Sequence, residues 1–476
     1  MSALLPLIRD YQPEAGLLQQ AAGPLSAARF LGACHALAQR LPDCRHVVNL
    51  CEDRGHFMHA FAAACWRGQT SLLPPSRAPG AVREVAGLFP GSTLLCDAPF
   101  EDIGVPQFVI GAADLSAPPW PGPAPEIPAA HSAAIAFTSG STGGAQPHVK
   151  SWRTLAVTAA LCAERFLGAP HERHTVVATV PPQHMYGLEL SVMLALAGGC
   201  ASHAGRPFFA GDVRAALAAA PAPRLLVTTP VHLKNLVASG LAFPPIAKVI
   251  SATAPLAPAL AREAEARLGA PVHEIYGCTE AGSMCTRRTL DGERWLPYPG
   301  LRLHHHDGMT HVTGAHLDEA VATPDVIEAH ADGTITLLGR SSDMIKVAGK
   351  RASLIQLTGR LLSIPGVEDG VVFVPAAAGD HARTAALVVA PGLTEQQVLR
   401  ALADLVDPVF LPRPLRRVDL LPRNALGKLP RADLLALAGA PPDRSTRGQA
   451  SGATVAPEGA PAKDGPAGPP QGRRRG

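Results

Sequence analysis

Hydroxyls and glycines alternate in Thr138-Ser139-Gly140-Ser141-Thr142-Gly143-Gly144, directly after the apolar stretch Ala133–Phe137. Glycine lets a backbone approach an anion closely, and the N–H and O–H groups supply donors, so such a loop can wrap a phosphate. It is not a Walker A loop, because no Gly-Lys-[Ser/Thr] follows at the required spacing. Alone, it reads equally well as a flexible Ser/Gly surface loop. A second group is Tyr276-Gly277-Cys278-Thr279-Glu280. A carboxylate beside a hydroxyl at a strand end could hold Mg²⁺ and a phosphate, since Mg²⁺ favours a few carboxylates plus phosphate oxygens. Tyr276 could stack on a base, although an ordinary strand end with Thr279 as a helix cap fits the same residues. Two further stretches, Gly339-Arg340-Ser341-Ser342-Asp343-Met344-Ile345-Lys346 with Gly349-Lys350-Arg351, and Pro422-Arg423-Asn424-Ala425-Leu426-Gly427-Lys428-Leu429-Pro430-Arg431, are by themselves charged turns.

In this order the four groups resemble the motifs of the adenylate-forming superfamily, which comprises acyl-CoA synthetases, peptide-synthetase adenylation domains and luciferases. That family's pattern has a TSGSTG loop, a YGxTE strand end, a TGD…GR ribose clamp and a terminal GK lysine. Asp325 lies 15 residues before Arg340 with Asp332-Gly333 between them, as in the clamp. The motifs span residues 138–431, and the N-terminal third matches more loosely, around Arg54-Gly55-His56-Phe57 and Gly68 to Pro75.

The resemblance implies an acid–thiol ligase that uses ATP and Mg²⁺, forms an acyl-AMP, and passes the acyl group to a phosphopantetheine thiol. It implies roles residue by residue. Thr138, Ser139, Gly140, Ser141, Thr142 and Gly143 cradle the ATP phosphates. Tyr276, with Gly277, and the segment Ala252-Thr253-Ala254-Pro255 flank the adenine. Thr279 contacts the α-phosphate and Glu280 holds Mg²⁺. Asp325 grips the ribose hydroxyls with Arg340 beside it, and Lys428 enters the site during adenylation. A carboxylate attacking phosphorus brings two anions together, so a divalent ion and a cationic side chain are the chemistry such a step needs. Lysine, a compact charge on a long stem, suits the mobile role.

The chain departs from the family at identifiable points. The usual Gly-x-Pro-Lys continuation reads Gly143-Gly144-Ala145-Gln146-Pro147-His148-Val149-Lys150. Gln146 holds the lysine position and Lys150 follows four residues later, which leaves open whether Gln146 or Lys150 serves the phosphate loop. Ser342 stands at the pivot aspartate, and Ala252-Thr253 replaces a frequent Gly-Gly. The acid-pocket region, Val180-Pro181-Pro182-Gln183-His184-Met185-Tyr186-Gly187-Leu188-Glu189, carries no aspartate to pair with an α-ammonium. His184 stands where acyl and aryl ligases carry a histidine. Pro230, Val231 and Cys278 are further candidates for the pocket wall. Glu189 reads as structural and His232 as a core histidine. The combination Gln146 to Trp152, Pro181 to Glu189 and Ser341 to Leu354 is similar to ligases of bacterial aryl-polyene and xanthomonadin-type pigment pathways. That resemblance implies a hydroxybenzoate-like aryl acid and an acyl carrier protein as acceptor. Free CoA as acceptor, and a homologue that binds a nucleotide or acyl ligand without chemistry, are the alternatives.

These residues need a scaffold. Val47–Leu50 and Ser71–Pro74 read as strands and Phe57–Trp66 as a buried helix between them, a strand–helix–strand spacing that predicts a mostly parallel sheet. Thr175–Thr179, Leu225–Thr228 and Lys248–Ser251 read as further strands, Leu190–Ala201 as a buried helix, and the Pro/Ala-rich residues 117–130 as a connector. Asp307-Gly308 and Asp332-Gly333 are hairpin signals. The expected architecture is α/β and acetyl-CoA synthetase-like. It has a large N-terminal domain over residues 1–338, a hinge at 339–342 and a small mobile α+β domain over 343–438. Residues 439–476, rich in Pro, Gly, Ala and Ser, read as a disordered tail.

Composition narrows the function classes. The tail carries six Lys/Arg and three Asp/Glu, leaving 36 of each in the folded part, so there is no basic stripe for nucleic acid. Nine scattered cysteines without a CxxC pair point to reduced thiols and a cytoplasmic setting. The N-terminus does not read as a signal peptide, and no apolar stretch is long enough to span a bilayer. His304-His305-His306 with His311 suggests a solvent-facing hairpin rather than a metal site, since alternate strand residues face opposite ways.

Overall fold

The computed structural model describes residues 3–139, 145–168, 172–347, 350–375, 383–423, 429 and 431–439, and every structural statement below concerns these residues. Met1–Ala438 form one compact unit. The expected tail, apart from Gly439, lies outside the described residues, as does Lys428.

Two large sheets carry the N-terminal part. The first runs, in spatial order, Ala145–Ser151, Ser132–Ser139, Thr70–Leu73, His46–Asn49, Thr93–Cys96 and Gln107–Val109. Only its first pair is antiparallel. Strands such as Thr70–Leu73 are buried along their whole length, both faces being covered, so they show no apolar–polar alternation. The helix Arg54–Trp66 is apolar nearly all round because it is enclosed, and Asp53 caps it by accepting from the His56 N–H at 3.0 Å. The second sheet has 11 strands. Its centre is parallel: Thr175–Ala178, Arg224–Thr228, Lys248–Ser251 and Val272–Cys278 lie side by side. Antiparallel strands Gly282–Arg288, Arg294–Pro297, Ile335–Arg340 and Asp325–Ala329 extend it at one edge.

After residue 340 the texture changes as expected. A hairpin, Met344–Val347 with Lys350–Ser353, leads into helix Leu354–Leu362 and a sheet of Asp369–Phe373, Ala385–Val389 and Leu415–Arg417. This small α+β part has its own apolar core, including Leu361, Val388, Val398 and Leu402. The fold is thus α/β, a large N-terminal domain with a small C-terminal part.

Two expectations change. The helix expected over Leu190–Ala201 is a π-helix, Leu188–Met193, followed by Leu194–Leu196; Gly199 at φ +79° ends it, and Ala201–His203 is a strand. The connector at 117–130 is partly structured. Glu126–Pro128 pairs with Leu4–Pro6, and Trp120 packs against Trp66 and His35. The short strands of the first 26 residues carried too few apolar residues to be read from pattern. The two hairpin signals hold: His304 pairs with His311 across Asp307-Gly308, and Ile335 with Ala329 across Asp332-Gly333.

Candidate active site

The chemistry-bearing residues collect at the carboxyl ends of the central parallel strands, where open α/β sheets place their ligands. Thr175–Ala178 leads to the loop carrying His184, Lys248–Ser251 leads to Ala252–Pro255, and Val272–Cys278 leads to Thr279 and Glu280. Close approach of these loops demands glycine at two places. A Cβ on Gly277 would run into the Gly282 carbonyl, and one on Gly187 into the Pro181 carbonyl.

Two cavities meet here. One, of about 290 Å³, is lined by Thr253, Ala254, Pro255, Tyr276 and Trp295, and is closed by Ile355 and Gln356 of the small C-terminal part. The other, of about 420 Å³, is lined by Thr138, His184, Cys278, Thr279, Glu280 and Arg340 among others. Thr253, Ile275 and Gly277 line both and form the neck between them. A larger groove of about 800 Å³, beside helix Trp152–Leu167, contains none of the expected site residues.

At the first cavity Tyr276 is buried and its hydroxyl donates to Asp325 Oδ2 at 2.6 Å. Asp325 and Arg340 are cross-strand partners, with Arg340 Nε 3.6 Å from Asp325 Oδ1. Burial and the Asp325 charge push the Tyr276 phenol well above its ordinary range, so it remains a donor. Three residues separated by 64 positions in the chain are therefore brought together as the resemblance implied.

Thr253 sits at the neck with φ +81°, a conformation in which a β-branched residue is strained. Thr253→Gly should raise stability by about 0.5–1 kcal/mol, the strain relieved less the entropy that glycine adds to the unfolded chain. An unchanged or lower chemical-denaturation midpoint would show that the threonine is not strained.

At the second cavity the strands Ser132–Ser139 and Ala145–Ser151 pair antiparallel, with Thr138 opposite Gln146. Gly140, Ser141, Thr142, Gly143 and the Ser139 side chain lie outside the described residues. Thr138 Oγ1 and His148 Nε2 share a 3.0 Å hydrogen bond, and His148 Nε2 lies 3.8 Å from Glu280 Oε1. Burial opposes ionisation of Glu280, but its own backbone amide, the Cys278 thiol, His148 and Lys150 outweigh it and hold its carboxyl below the usual range. A half-exposed ionised carboxylate beside threonine hydroxyls is a donor set that suits Mg²⁺, which binds through one or two carboxylates, waters and phosphate oxygens. The Cys278 thiol is pushed up to about 12, by burial first and then Glu280, which makes it a poor nucleophile.

Lys150 takes a position other than the one expected for a phosphate ligand. It is buried, lines neither cavity, and its Nζ donates to the Glu280 backbone carbonyl at 2.5 Å. It lies on the same strand face as His148, beneath the Glu280 turn, where burial lowers its pKa while Glu189, Cys278 and Glu280 oppose that. Gln146 is exposed. Glu189 is buried and accepts from the Ser283 hydroxyl at 2.5 Å and the Ser283 N–H at 3.2 Å, a structural position.

Pro230 and Val231 also depart from expectation, lining neither cavity. Proline is suited to a first helical turn, and the two open helix Pro230–Ala238 behind the Thr229 cap. His232 is a core histidine, its Nδ1 3.0 Å from Thr179 Oγ1.

Sequence reasoning gave no role to Arg54. Its guanidinium is fully buried, and Nε donates to Ser191 Oγ at 2.9 Å. Nη1 donates to the His203 and Gly205 carbonyls (3.4 and 2.7 Å), and Nη2 to those of Ala178 and Val180 (3.0 and 2.7 Å). It thereby fixes the strand end from which the His184 loop departs. The motif string Arg54-Gly55-His56-Phe57 was the only signal.

Comparison with known proteins decides the family. Residues 44–307, more than half of the chain, match the family described as AMP-binding enzyme. The chain belongs to that family. It is an AMP-forming acid–thiol ligase. It is 33% identical over 316 residues to a 4-coumarate–CoA ligase of Halorhodospira halophila, covering 63% of this chain and 75% of that protein. In fold it matches ATP-bound MatB from Rhodopseudomonas palustris at TM-score 0.75 and 21% identity, over 90% of this chain and 96% of that one. It also matches the o-succinylbenzoate CoA synthetase MenE of Bacillus subtilis in complex with its acyl-adenylate, at TM-score 0.74 and 19% identity, over 91% and 98%. No helix among the described residues of this ligase is long and apolar enough to cross a membrane.

Proposed function

We propose that this ligase activates an aryl carboxylic acid as its acyl-adenylate and passes the acyl group to the thiol of CoA. The observation that carries the proposal is the pair of cavities joined at Thr253, Ile275 and Gly277, a purine-sized chamber beside an acid chamber with Glu280 at its wall. Phe137, Met185, Tyr186 and Ile275 give the acid chamber apolar surface. Of its carboxylates, Glu189 is committed to Ser283 and Glu280 faces Thr138 and His148, so none is left for an α-ammonium. The names of the relatives, a 4-coumarate–CoA ligase and an o-succinylbenzoate CoA synthetase, favour both an aryl acid and CoA over the carrier protein expected from sequence.

In the first step a carboxylate oxygen attacks the α-phosphorus and the bond to pyrophosphate breaks. Thr138 and the hydroxyl loop hold the leaving phosphates, Thr279 the α-phosphate, and Tyr276 with Asp325 and Arg340 the nucleoside. Glu280 would hold Mg²⁺, which when bound offsets phosphate charge. In the second step the thiol sulfur attacks the acyl carbonyl, AMP leaves, and the thiol proton is lost to solvent. Residues 343–438 act as a mobile domain turning about a hinge at 339–342, where Gly339 has φ +125°. Its motion withdraws Lys428 and admits the thiol.

Acid-dependent ATP–pyrophosphate exchange over hydroxybenzoates, hydroxycinnamates, fatty acids and amino acids tests the first step. Exchange with an amino acid alone would overturn the aryl assignment. Supplying CoA or a phosphopantetheinylated carrier protein to the active pair then tests the acceptor, and turnover only with the carrier would overturn CoA. Lys428→Ala should lower exchange roughly tenfold or more while sparing thioester formation from supplied acyl-adenylate. Equal loss in both steps would remove Lys428 from its role.

A further inference from the structure

Strand Ala145–Ser151 carries three polar residues at alternate positions, Gln146, His148 and Lys150, and His148, though not itself lining the acid chamber, contacts two side chains of its wall, Thr138 and Glu280. Gln146 is exposed near the hairpin tip. The Lys150 ammonium is taken by the Glu280 carbonyl. His148, with its side chain 20% exposed, has Nε2 3.0 Å from the hydroxyl of Thr138 and 3.8 Å from the Glu280 carboxylate. These are the first hydroxyl of the phosphate loop and the carboxylate at the turn after the central strand. The imidazole edge is therefore held between the two groups that would flank the leaving phosphates.

We propose that His148 is a phosphate-binding residue for ATP, its Nε2 donating to oxygens of the pyrophosphoryl portion. It supplies from strand position 148 a donor that neither Gln146 nor Lys150 supplies in this structure. The proposal rests on the reading of Thr138 and Glu280 as the phosphate end of the site. It differs from a packing role in one respect: a residue that touches the β- and γ-phosphates matters for ATP and not for AMP, which lacks them.

The test is calorimetric binding of ATP and of AMP to the full chain and to its His148→Ala and His148→Gln variants. EDTA is present so that no effect runs through a metal ion at Glu280. His148→Ala should weaken ATP about tenfold, the size of one hydrogen bond to a charged group, and leave AMP within about twofold. His148→Gln, which retains an N–H donor, should recover most of the loss. Equal weakening of ATP and AMP would make His148 a structural residue, and no weakening of either would remove it from the site; both overturn the proposal. Failure of the unsubstituted chain to bind either nucleotide would instead overturn the phosphate-site reading, and the proposal with it.

Discussion

Replacing Arg54 with methionine should lower stability by roughly 3–5 kcal/mol, because several buried acceptors lose their donor at once. The five acceptors around the guanidinium are the Ser191 hydroxyl and the Ala178 and Val180 carbonyls, all buried, and the half-buried His203 and Gly205 carbonyls. A buried carbonyl left unpaired costs about 1–3 kcal/mol, and methionine, similar in length, fills the space without donating. Arg54→Lys should be only a partial remedy, since a single ammonium offers three donors from one point and cannot reproduce the planar fork. Differential scanning fluorimetry and the soluble yield report the effect. A methionine variant with the melting temperature of the parent would show that these hydrogen bonds add nothing net. Because Arg54 holds the Ala178 and Val180 carbonyls, residual folded protein should also show a lower kcat, through a loosened His184 loop.

Glu280→Gln should reduce ATP–pyrophosphate exchange by roughly 10²–10³-fold, the scale of losing one preorganised electrostatic group at a reacting phosphate. The substitution separates two functions of one residue. Its backbone carbonyl accepts from Lys150, and glutamine keeps that contact. The melting temperature should therefore stay within a few degrees while the exchange rate collapses. AMP binding in the absence of Mg²⁺ should change little, since the nucleoside contacts proposed above are assigned to Tyr276, Asp325 and Arg340, which hold one another without Glu280. Exchange retained within tenfold would mean that the carboxylate is not used in the first step.

The sequence was most informative where chemistry forces a residue type and least where packing decides. Tyr276, Asp325 and Arg340 were legible as a unit because a motif order preserved over the chain stands for a cluster in space, and the 2.6 Å and 3.6 Å contacts realise it. The parallel strands His46–Asn49 and Thr70–Leu73 were legible because burial on both faces leaves adjacent apolar pairs, Val47-Val48 and Leu72-Leu73, in place of apolar–polar alternation. Arg54 was not, since a charged residue in a string of letters gives no sign that five acceptors will surround it. Lys150 was misplaced for a related reason. Charge suggested a phosphate, yet the ammonium is buried under the Glu280 turn, where the backbone carbonyl accepts from it. Pro230 and Val231 follow a strand, as pocket residues do, but Thr229 and Pro230 are also a helix start, and the helix prevailed.

Because Thr253, Ile275 and Gly277 line both chambers, the proposed function uses the two as one mould rather than two docking places. On that proposal an acyl-adenylate would fill both at once, whereas AMP or the free acid would fill only one. Joining the halves spares the second its loss of translational freedom, so the reactive anhydride should be the species this enzyme grips hardest. Such retention shelters the anhydride from water until a thiol arrives. It also makes non-hydrolysable mimics that bridge the neck the natural starting point for inhibitors, with affinity far above that of either fragment.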